Sequence, residues 1–361
     1  MSGSETATPP GTALEVIVLG APRSGTYWLV DILDRYFDIR IPTETHFIPV
    51  FGRRIGLWGD LSKRRNRERL LRNIYEYLSL WTVRSSDAPD YLAQVRDVSL
   101  LVTLDRGRAG AILDASHDYP SLIAALYGEF ARIHDAAASG DKSAYYSAID
   151  PARTLDHTPG TRAIHIIRDG RDVALSWMKT WFGPPTVRDA AREWRGHVEC
   201  YRHWSAEHPG AGLELRYEDL ARDEAGEVDR IGAFLGREPI RDGTRTSAIS
   251  AALSSTDSHS AIQDMDARSN IEKWRTQMAA DDVAAFDAIA GDTLRRCGYD
   301  AALAGDDGSA RTLMRPLSRH KLRVGLKNLL PVCLYLAGRT GFPALAVLNR
   351  GQDAVWRSVR M

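Results

Sequence analysis

A short segment near the amino terminus constrains the fold more than any other part of the chain. Residues 15–28 read EVIVLGAPRSGTYW, in which an apolar run typical of a β-strand breaks at a glycine-containing turn before a helix begins. A turn of this kind points successive backbone N–H groups, together with the positive end of the helix, at one anion. The segment therefore predicts a buried strand followed by a phosphate-binding loop.

The loop is close to the nucleotide-triphosphate pattern G-x-x-x-x-G-K-[ST] but departs from it at one position. Gly20 and Gly25 keep the glycine spacing, whereas Thr26 stands where the pattern requires lysine. The lysine that contacts the β- and γ-phosphates of ATP or GTP is therefore missing. The basic side chain inside the loop is instead Arg23. The spacing G-x-G-x-x-G of dinucleotide-binding enzymes is absent as well. We expect the loop to bind a different phosphorylated ligand.

A second buried-strand pattern, AIHIIRDGRDVALSW, lies in the middle of the chain and leads into a predicted helix. Arg168 stands at the end of the strand, and Ser176 follows two helical turns later. A strand-end guanidinium and a helix hydroxyl can converge on one phosphate, so the pattern predicts a second anion site and a doubly phosphorylated ligand. In the alternative interpretation, Arg168 and Arg171 only form ion pairs with Asp169 and Asp172.

Four fragments occur in the order found in one enzyme family. Residues 22–29, PRSGTYWL, match P-[KR]-S-G-T-x-W-[LV], and residues 168–176 match R-[DN]-x-[KR]-D-x-x-x-S. The fragments RYEDL at 216–220 and RSNIEKW at 268–274 are similar to a later strand end and to a nucleotide-covering loop. The chain resembles the sulfotransferases that use 3′-phosphoadenosine-5′-phosphosulfate (PAPS). This resemblance implies their P-loop-like α/β fold, and the alternating strands and crossovers predict a three-layer α/β/α domain around a central parallel sheet.

The resemblance also implies which residues hold PAPS and its product, adenosine 3′,5′-bisphosphate. Arg23 would reach the bridging oxygen, where charge builds as the sulfuryl group leaves, without a metal ion. Trp28 would stack on adenine. The 3′-phosphate would contact Arg168 and Ser176. The remaining predicted cofactor residues are those of the loop and of the two later fragments: Ser24, Gly25, Thr26, Tyr27, Tyr217 and Arg268.

The catalytic base is predicted from a difference between two branches of the family. Steroid- and phenol-type members carry a histidine after a lysine-threonine pair, but residues 140–144 read GDKSA, without that histidine. Other members use a glutamate after the first helix, and PTETHF at 42–47 is similar to their segment. We therefore expect Glu44 to be the base, with His46 as the alternative. Lys142 would help to neutralise the transferring group.

Composition restricts the remaining possibilities. The chain has 361 residues, 44% of them hydrophobic, with 47 basic and 47 acidic side chains, so a globular domain is expected and a nucleic-acid partner is not. The scattered residues Cys200, Cys297 and Cys333 indicate neither a zinc site nor a disulfide framework, and no H-E-x-x-H metal motif occurs. A reducing, cytoplasmic location is expected. An atypical P-loop kinase and a non-catalytic nucleotide-binding regulator remain alternative functions.

The predicted organisation has three parts. A disordered leader at 1–12 precedes a sulfotransferase domain at 13–308, which contains a helical acceptor-side insertion at 52–139. The tail at 309–361 is basic and amphipathic, since from residue 311 onward it has ten Lys and Arg against the single acid Asp353. Such a tail predicts peripheral contact with an anionic membrane and a lipid-linked or other small-molecule acceptor. The alternative is a tail packed on the catalytic domain.

Overall fold

Five parallel strands form the centre of the molecule. The computed structural model describes residues 14–84, 98–143, 151–180, 183–243, 247 and 267–301. The strands are β1 (Leu14–Leu19), β2 (Ile39–Arg40), β3 (Ala138–Lys142), β4 (Arg162–Ile167) and β5 (Gly212–Arg216). They lie in the order β2-β3-β1-β4-β5, and every pair of neighbours is parallel. A parallel sheet is covered on both faces, which explains why β1 and β4 are nearly continuous apolar runs.

Helices connect the strands and cover the sheet. The described α-helices are α1 (Thr26–Phe37), α2 (Phe47–Gly52), α3 (Arg64–Arg84), α4 (Arg106–Asp114), α5 (Tyr119–Ile133), α6 (Pro151–Leu155), α7 (Gly170–Trp177), α8 (Val187–Glu207), α9 (Tyr217–Arg222), α10 (Glu224–Leu235), α11 (Trp274–Gln277) and α12 (Ala280–Arg296). Short 3₁₀ turns occur at Ile55–Trp58, Leu100–Thr103 and Ala267–Asn270.

The two faces of the sheet contribute to two different hydrophobic cores. Val16 and Val18 of β1 pack in one core with α1 and α10, whereas the intervening Ile17 belongs to another core with Tyr201 and Trp204 of α8. This alternation follows from the period of two along a strand. The sheet therefore lies between two layers of helices, which confirms the predicted three-layer α/β/α fold.

The segment between β2 and β3 is rich in helices, as predicted for residues 52–139. Helices α3, α4 and α5 share a separate core with α2, and the apolar stripe of α3 is buried in it: Leu70, Leu71, Ile74, Tyr77 and Leu78. One boundary differs from the prediction, because Ala138 and Ser139 pair in β3 rather than belonging to the helical segment. The pairing with β1 and β2 determines where the strand begins.

Other predicted elements lie close to their predicted positions. Apolar residues at helical spacing predict helices at 186–208 and 281–297, which the structure shows as α8 and α12, and the strand pattern at 213–217 corresponds to β5. The predicted leader and the basic tail lie outside the described residues. Among the helices that the structure does describe, none is both long enough and apolar enough to cross a membrane.

Candidate active site

The carboxyl ends of the five strands meet at one edge of the sheet, and the principal predicted site residues lie there. Arg23 follows β1, Arg168 follows β4 and Tyr217 follows β5, while Lys142 is the last residue of β3. Glu44 lies between β2 and α2. Ligands of open parallel α/β sheets bind at this edge. The fold thus brings together residues that are far apart in the sequence.

The loop between β1 and α1 has the geometry of an anion-binding turn. Arg23 and Gly25 have positive φ angles of 72° and 97°. A Cβ at Gly25 would lie 2.7 Å from Cδ2 of Tyr217, so a larger residue does not fit there. Ser24 is buried, and its Oγ has no hydrogen-bond partner in the described chain. Since α1 also begins without a side-chain cap, its first N–H groups can receive an anion.

Arg23 and Arg168 lie in one hydrogen-bonded network. Arg23 donates from Nε to Oγ of Ser176 at 3.0 Å. Arg168 donates to the carbonyl of Arg23 at 3.4 Å and to the carbonyl of Asn270 at 2.6 Å. Burial lowers the pKa of the Arg23 guanidinium, and the neighbouring charge of Arg168 lowers it further. A bound anion would relieve this repulsion between two partly desolvated cations.

Glu44 lies between Lys142 and His46. Nζ of Lys142 donates to Oε1 of Glu44, and Nε2 of His46 lies 2.9 Å from Oε2. Burial alone would raise the pKa of Glu44, but the charge of Lys142 and the hydrogen bond to His46 outweigh it and hold that pKa well below its usual value. The Glu44 side chain is 28% exposed, so the ionised carboxylate is accessible from solvent.

Lys142 is the most enclosed cation of the site. Its side chain is 2% exposed, and Nζ lies 3.4 Å from the centre of the Tyr27 ring. Burial lowers its pKa, the charge of Glu44 opposes that effect, and the charge of Arg23 adds to it. The ammonium group therefore lies between a carboxylate and an aromatic face, beside the loop that joins β1 to α1. Its three protons allow it to donate to a second anion.

Both ion pairs of the alternative interpretation occur within the second motif. Arg171 forms a pair with Asp169 at 2.8 Å and covers the ring of Trp274 at 3.6 Å, and Arg168 forms a longer pair with Asp172. Asp172 also accepts the backbone N–H groups of Glu272 and Trp274, both at 2.8 Å. Burial raises the pKa of Asp172 to about 6, although the charge of Arg168, 3.9 Å away, opposes the shift. Arg168 itself contacts the loop rather than only an aspartate.

The remaining predicted nucleotide residues lie around this centre. Trp28 donates its indole N–H to Glu224 at 3.3 Å and packs edge-on against Tyr217, with ring centres 5.4 Å apart. Arg168 lies 4.7 Å from the centre of the Tyr217 ring. Arg268 donates to the carbonyls of Ala221 and Arg222, so its backbone segment approaches the site while its guanidinium binds α9.

Sequence reasoning missed three contributors to this edge. Asn270 supplies a carbonyl to Arg168, Asp172 binds the backbone of the late segment, and Asp141 binds Thr45. All three lie inside the sequence fragments that were matched to the family, so their membership of those fragments was the available signal. Throughout the described ranges, no cluster of three or more His, Cys, Asp or Glu side chains is arranged to hold a metal ion.

Comparison with known proteins agrees with this architecture. A sulfotransferase domain from the curacin biosynthetic pathway matches with a TM-score of 0.50 and 18% identity, covering 80% of this chain and 99% of that domain. A sulfotransferase domain from the Synechococcus PCC 7002 olefin synthase has a TM-score of 0.47 and 19% identity, with coverages of 82% and 99%. No match was found among curated protein sequences.

The first of these structures supports the fold, and a sequence profile identifies the family. The profile of the sulfotransferase family matches residues 15–242, well over half of the chain. That range includes the anion-binding loop, the Glu44 and Lys142 pair and the Arg168 motif. The chain therefore belongs to the sulfotransferase family.

Proposed function

We propose that the protein transfers a sulfuryl group from PAPS to a hydroxyl group, or less readily an amine, of an acceptor. The main support is the continuous arrangement at the strand ends, where a network of Arg23, Ser176 and Arg168 adjoins the loop. A doubly phosphorylated nucleotide would bind the cations, while the acceptor approaches the carboxylate of Glu44.

The reaction is an in-line displacement at sulfur. The acceptor oxygen forms a bond to sulfur, its proton passes to Glu44, and the bond between sulfur and the bridging oxygen breaks. Both electrons of that bond leave with the 5′-phosphate of adenosine 3′,5′-bisphosphate. Arg23 and the loop N–H groups stabilise the charge that develops there. By analogy with phosphoryl transfer, positioning and charge neutralisation provide most of the catalysis.

Lys142 reconciles the low pKa of Glu44 with a role as base. A carboxylate in contact with an ammonium group is always ionised at neutral pH but is weakly basic. When the sulfuryl oxygens of the donor approach, Lys142 donates to them and its contact with Glu44 weakens. The basicity of Glu44 then rises while the acceptor hydroxyl is in place. His46 stays hydrogen-bonded to the second oxygen and keeps the carboxylate oriented.

The donor can be tested without knowledge of the acceptor. Adenosine 3′,5′-bisphosphate should raise the melting temperature in the presence of EDTA, because backbone dipoles and arginines hold it. Sulfur-labelled PAPS should release labelled sulfate slowly to water and faster to an acceptor in host extracts. Stabilisation only by ATP with magnesium would identify a kinase. Binding of the bisphosphate without any labelled product would indicate a regulator.

Arg168→Ala should weaken the binding of adenosine 3′,5′-bisphosphate by about 2 to 5 kcal/mol, since a partly buried phosphate loses its charged partner. Binding of AMP, which lacks the 3′-phosphate, should hardly change. The control is Arg192→Ala, which removes an exposed arginine of α8 that forms a pair with Asp189. Titration calorimetry with both ligands distinguishes the two effects, and equal losses would assign Arg168 to another part of the ligand.

The acceptor is proposed to be lipid-linked or otherwise amphiphilic, on the basis of the basic, amphipathic tail at 309–361. The full-length protein should co-sediment at low salt with vesicles that contain anionic lipid, and vesicles of neutral lipid serve as the control. A chain ending at Gly308 should bind the bisphosphate normally but should no longer co-sediment with the anionic vesicles. Absence of vesicle binding by the full-length protein would contradict the proposal for the acceptor, not that for the donor.

A further inference from the structure

Three consecutive residues at the end of β3 bind three consecutive residues of the segment that carries Glu44. Lys142 donates to Glu44, as described above. Thr45 donates from Oγ1 to Oδ1 of Asp141 at 2.8 Å. The backbone N–H of His46 donates to Oγ of Ser143 at 2.9 Å. Each of residues 44–46 therefore has its own hydrogen bond to one of residues 141–143.

The contacts come from both faces of the strand. Successive side chains alternate across a strand, so Asp141 projects to the face opposite Lys142. Ser143 directly follows the strand, and its Oγ lies 3.2 Å from Oγ1 of Thr45, the residue that Asp141 binds. The segment is therefore bound by Lys142 at the Glu44 carboxylate and by the other two residues at Thr45 and at the His46 backbone. Shifting Glu44 relative to Lys142 would require breaking hydrogen bonds on the opposite face.

Burial makes these polar contacts strong and costly to lose. Thr45, Asp141 and Ser143 are each 1% exposed. Oδ1 of Asp141 also accepts the Tyr127 hydroxyl at 2.5 Å, whereas its Oδ2 is buried without a hydrogen-bond partner in the described chain. Burying a carboxylate costs several kcal/mol unless a nearby cation or hydrogen bonds compensate.

The backbone of the same segment is strained. His46 has φ 53°, in the left-handed region, and it directly precedes α2. A non-glycine residue keeps such a conformation only where the surrounding structure enforces it, and such strain tends to occur at functional sites. The hydrogen bond to Ser143 acts at the N–H of this residue. The side chain of His46 in turn binds Glu44.

We propose that Asp141 and Ser143 are positioning residues for the general base, acting through Thr45 and His46. They do not touch the reacting atoms. Asp141 also connects the base to the helical insertion, because Tyr127 belongs to α5. This inference rests on the proposed role of Glu44, and it adds that the geometry of the base is set by β3 rather than by the loop that carries it.

The test uses Thr45→Val and Ser143→Ala with sulfur-labelled PAPS and water as acceptor. Each variant should lower kcat roughly 10- to 100-fold, the effect of misplacing a reacting group by about 1 Å. The affinity for adenosine 3′,5′-bisphosphate should stay unchanged. Thr45→Ser should restore most of kcat, because it keeps the hydroxyl. The control is Thr161→Val, which removes a buried hydroxyl bonded to the Leu14 carbonyl at 2.9 Å.

A structural role and a positioning role predict different double-variant results. If Thr45 acts through the base, Thr45→Val should add little to the loss caused by Glu44→Gln, whereas independent effects would multiply. Multiplicative losses, or a normal kcat in both single variants, would overturn the positioning proposal while leaving Glu44 as base. A normal kcat in Glu44→Gln itself would instead refute the base, and the positioning proposal with it.

Discussion

Glu44 and Asp172 are both carboxylates at the same edge of the sheet, and each has a cation near it, yet their pKa values shift in opposite directions. The pKa of Glu44 is lowered, since Lys142 and His46 outweigh burial. The pKa of Asp172 is raised to about 6, because burial dominates over Arg168. Proximity of a cation therefore does not decide the ionisation of a buried acid. The ionisation depends on whether the cation contacts the carboxylate directly and on which other acceptors the cation binds.

Competition for the cation differs between the two regions. Lys142 donates directly to Glu44. Arg168 donates to the carbonyls of Arg23 and Asn270 and lies 3.9 Å from Asp172, so its charge is only partly available to that carboxylate. The two acids suit different tasks. A partly exposed, ionised Glu44 can accept a proton, whereas a buried Asp172 binds two backbone N–H groups and holds the late segment in place.

The largest effect is expected from Lys142→Met, which removes the ammonium group that contacts Glu44. The pKa of Glu44 should rise, because only the contact with His46 then opposes the effect of burial. Turnover of PAPS should fall by roughly 10²- to 10³-fold, the usual loss for one group that stabilises developing charge. The measurement is the pH profile of kcat, whose acidic limb should move to higher pH.

The control for that experiment is Lys63→Met, which removes an exposed lysine at the edge of the insertion. It should leave both kcat and the acidic limb unchanged. An acidic limb that stays in place in Lys142→Met would show that Lys142 does not set the ionisation of the base.

A smaller effect is expected from Glu44→Gln, which keeps the shape of the side chain and removes its basicity. Turnover should fall by about 10²-fold, within the usual range for general-base catalysis. The affinity for adenosine 3′,5′-bisphosphate should stay the same in calorimetry. Glu207→Gln, an exposed change near the end of α8, serves as control. Near-normal turnover would transfer the role of base to His46, the alternative indicated by the sequence.

The comparison also shows what sequence can and cannot predict. Glu44 and Lys142 were predicted because PTETHF and GDKSA are similar to segments of the sulfotransferase family, and the structure places both residues at the carboxyl edge of the sheet. The role of Asp172 was not predicted, since its partners Glu272 and Trp274 are 100 and 102 positions away and use only backbone N–H groups. Any residue type except proline supplies such a group. The sequence therefore carries no side-chain signal for the contact.

The same reasoning explains which strands and helices were predicted correctly and which boundary was not. Apolar runs located β1 and β4, and helical periodicity located α8 and α12. The predicted helical insertion ends at residue 139 and so overlaps β3, because the first residues of that strand, Ala138 and Ser139, carry little hydrophobic signal. Their strand conformation depends on pairing with neighbouring strands, which is a tertiary contact.

The smallest effect is expected from Asp172→Asn and concerns stability rather than turnover. The folded pKa of Asp172, about 6, is above its ordinary value of 3.8. Its contribution to stability is therefore fully present below about pH 4 and is lost as the pH rises through about 6. Between about pH 5 and 7 the unfolding free energy of the wild type should fall by about 1 kcal/mol more than that of the variant.

Urea denaturation at several pH values measures this difference, because the other titrating groups are common to both proteins and cancel. The variant also loses one acceptor for the N–H groups of Glu272 and Trp274, so its stability should be lower at every pH by an amount that does not depend on pH. Parallel pH profiles would mean that Asp172 titrates normally. In that case Arg168 and the backbone hydrogen bonds would fully offset the burial of Asp172, and the pKa values of the two carboxylates would no longer shift in opposite directions.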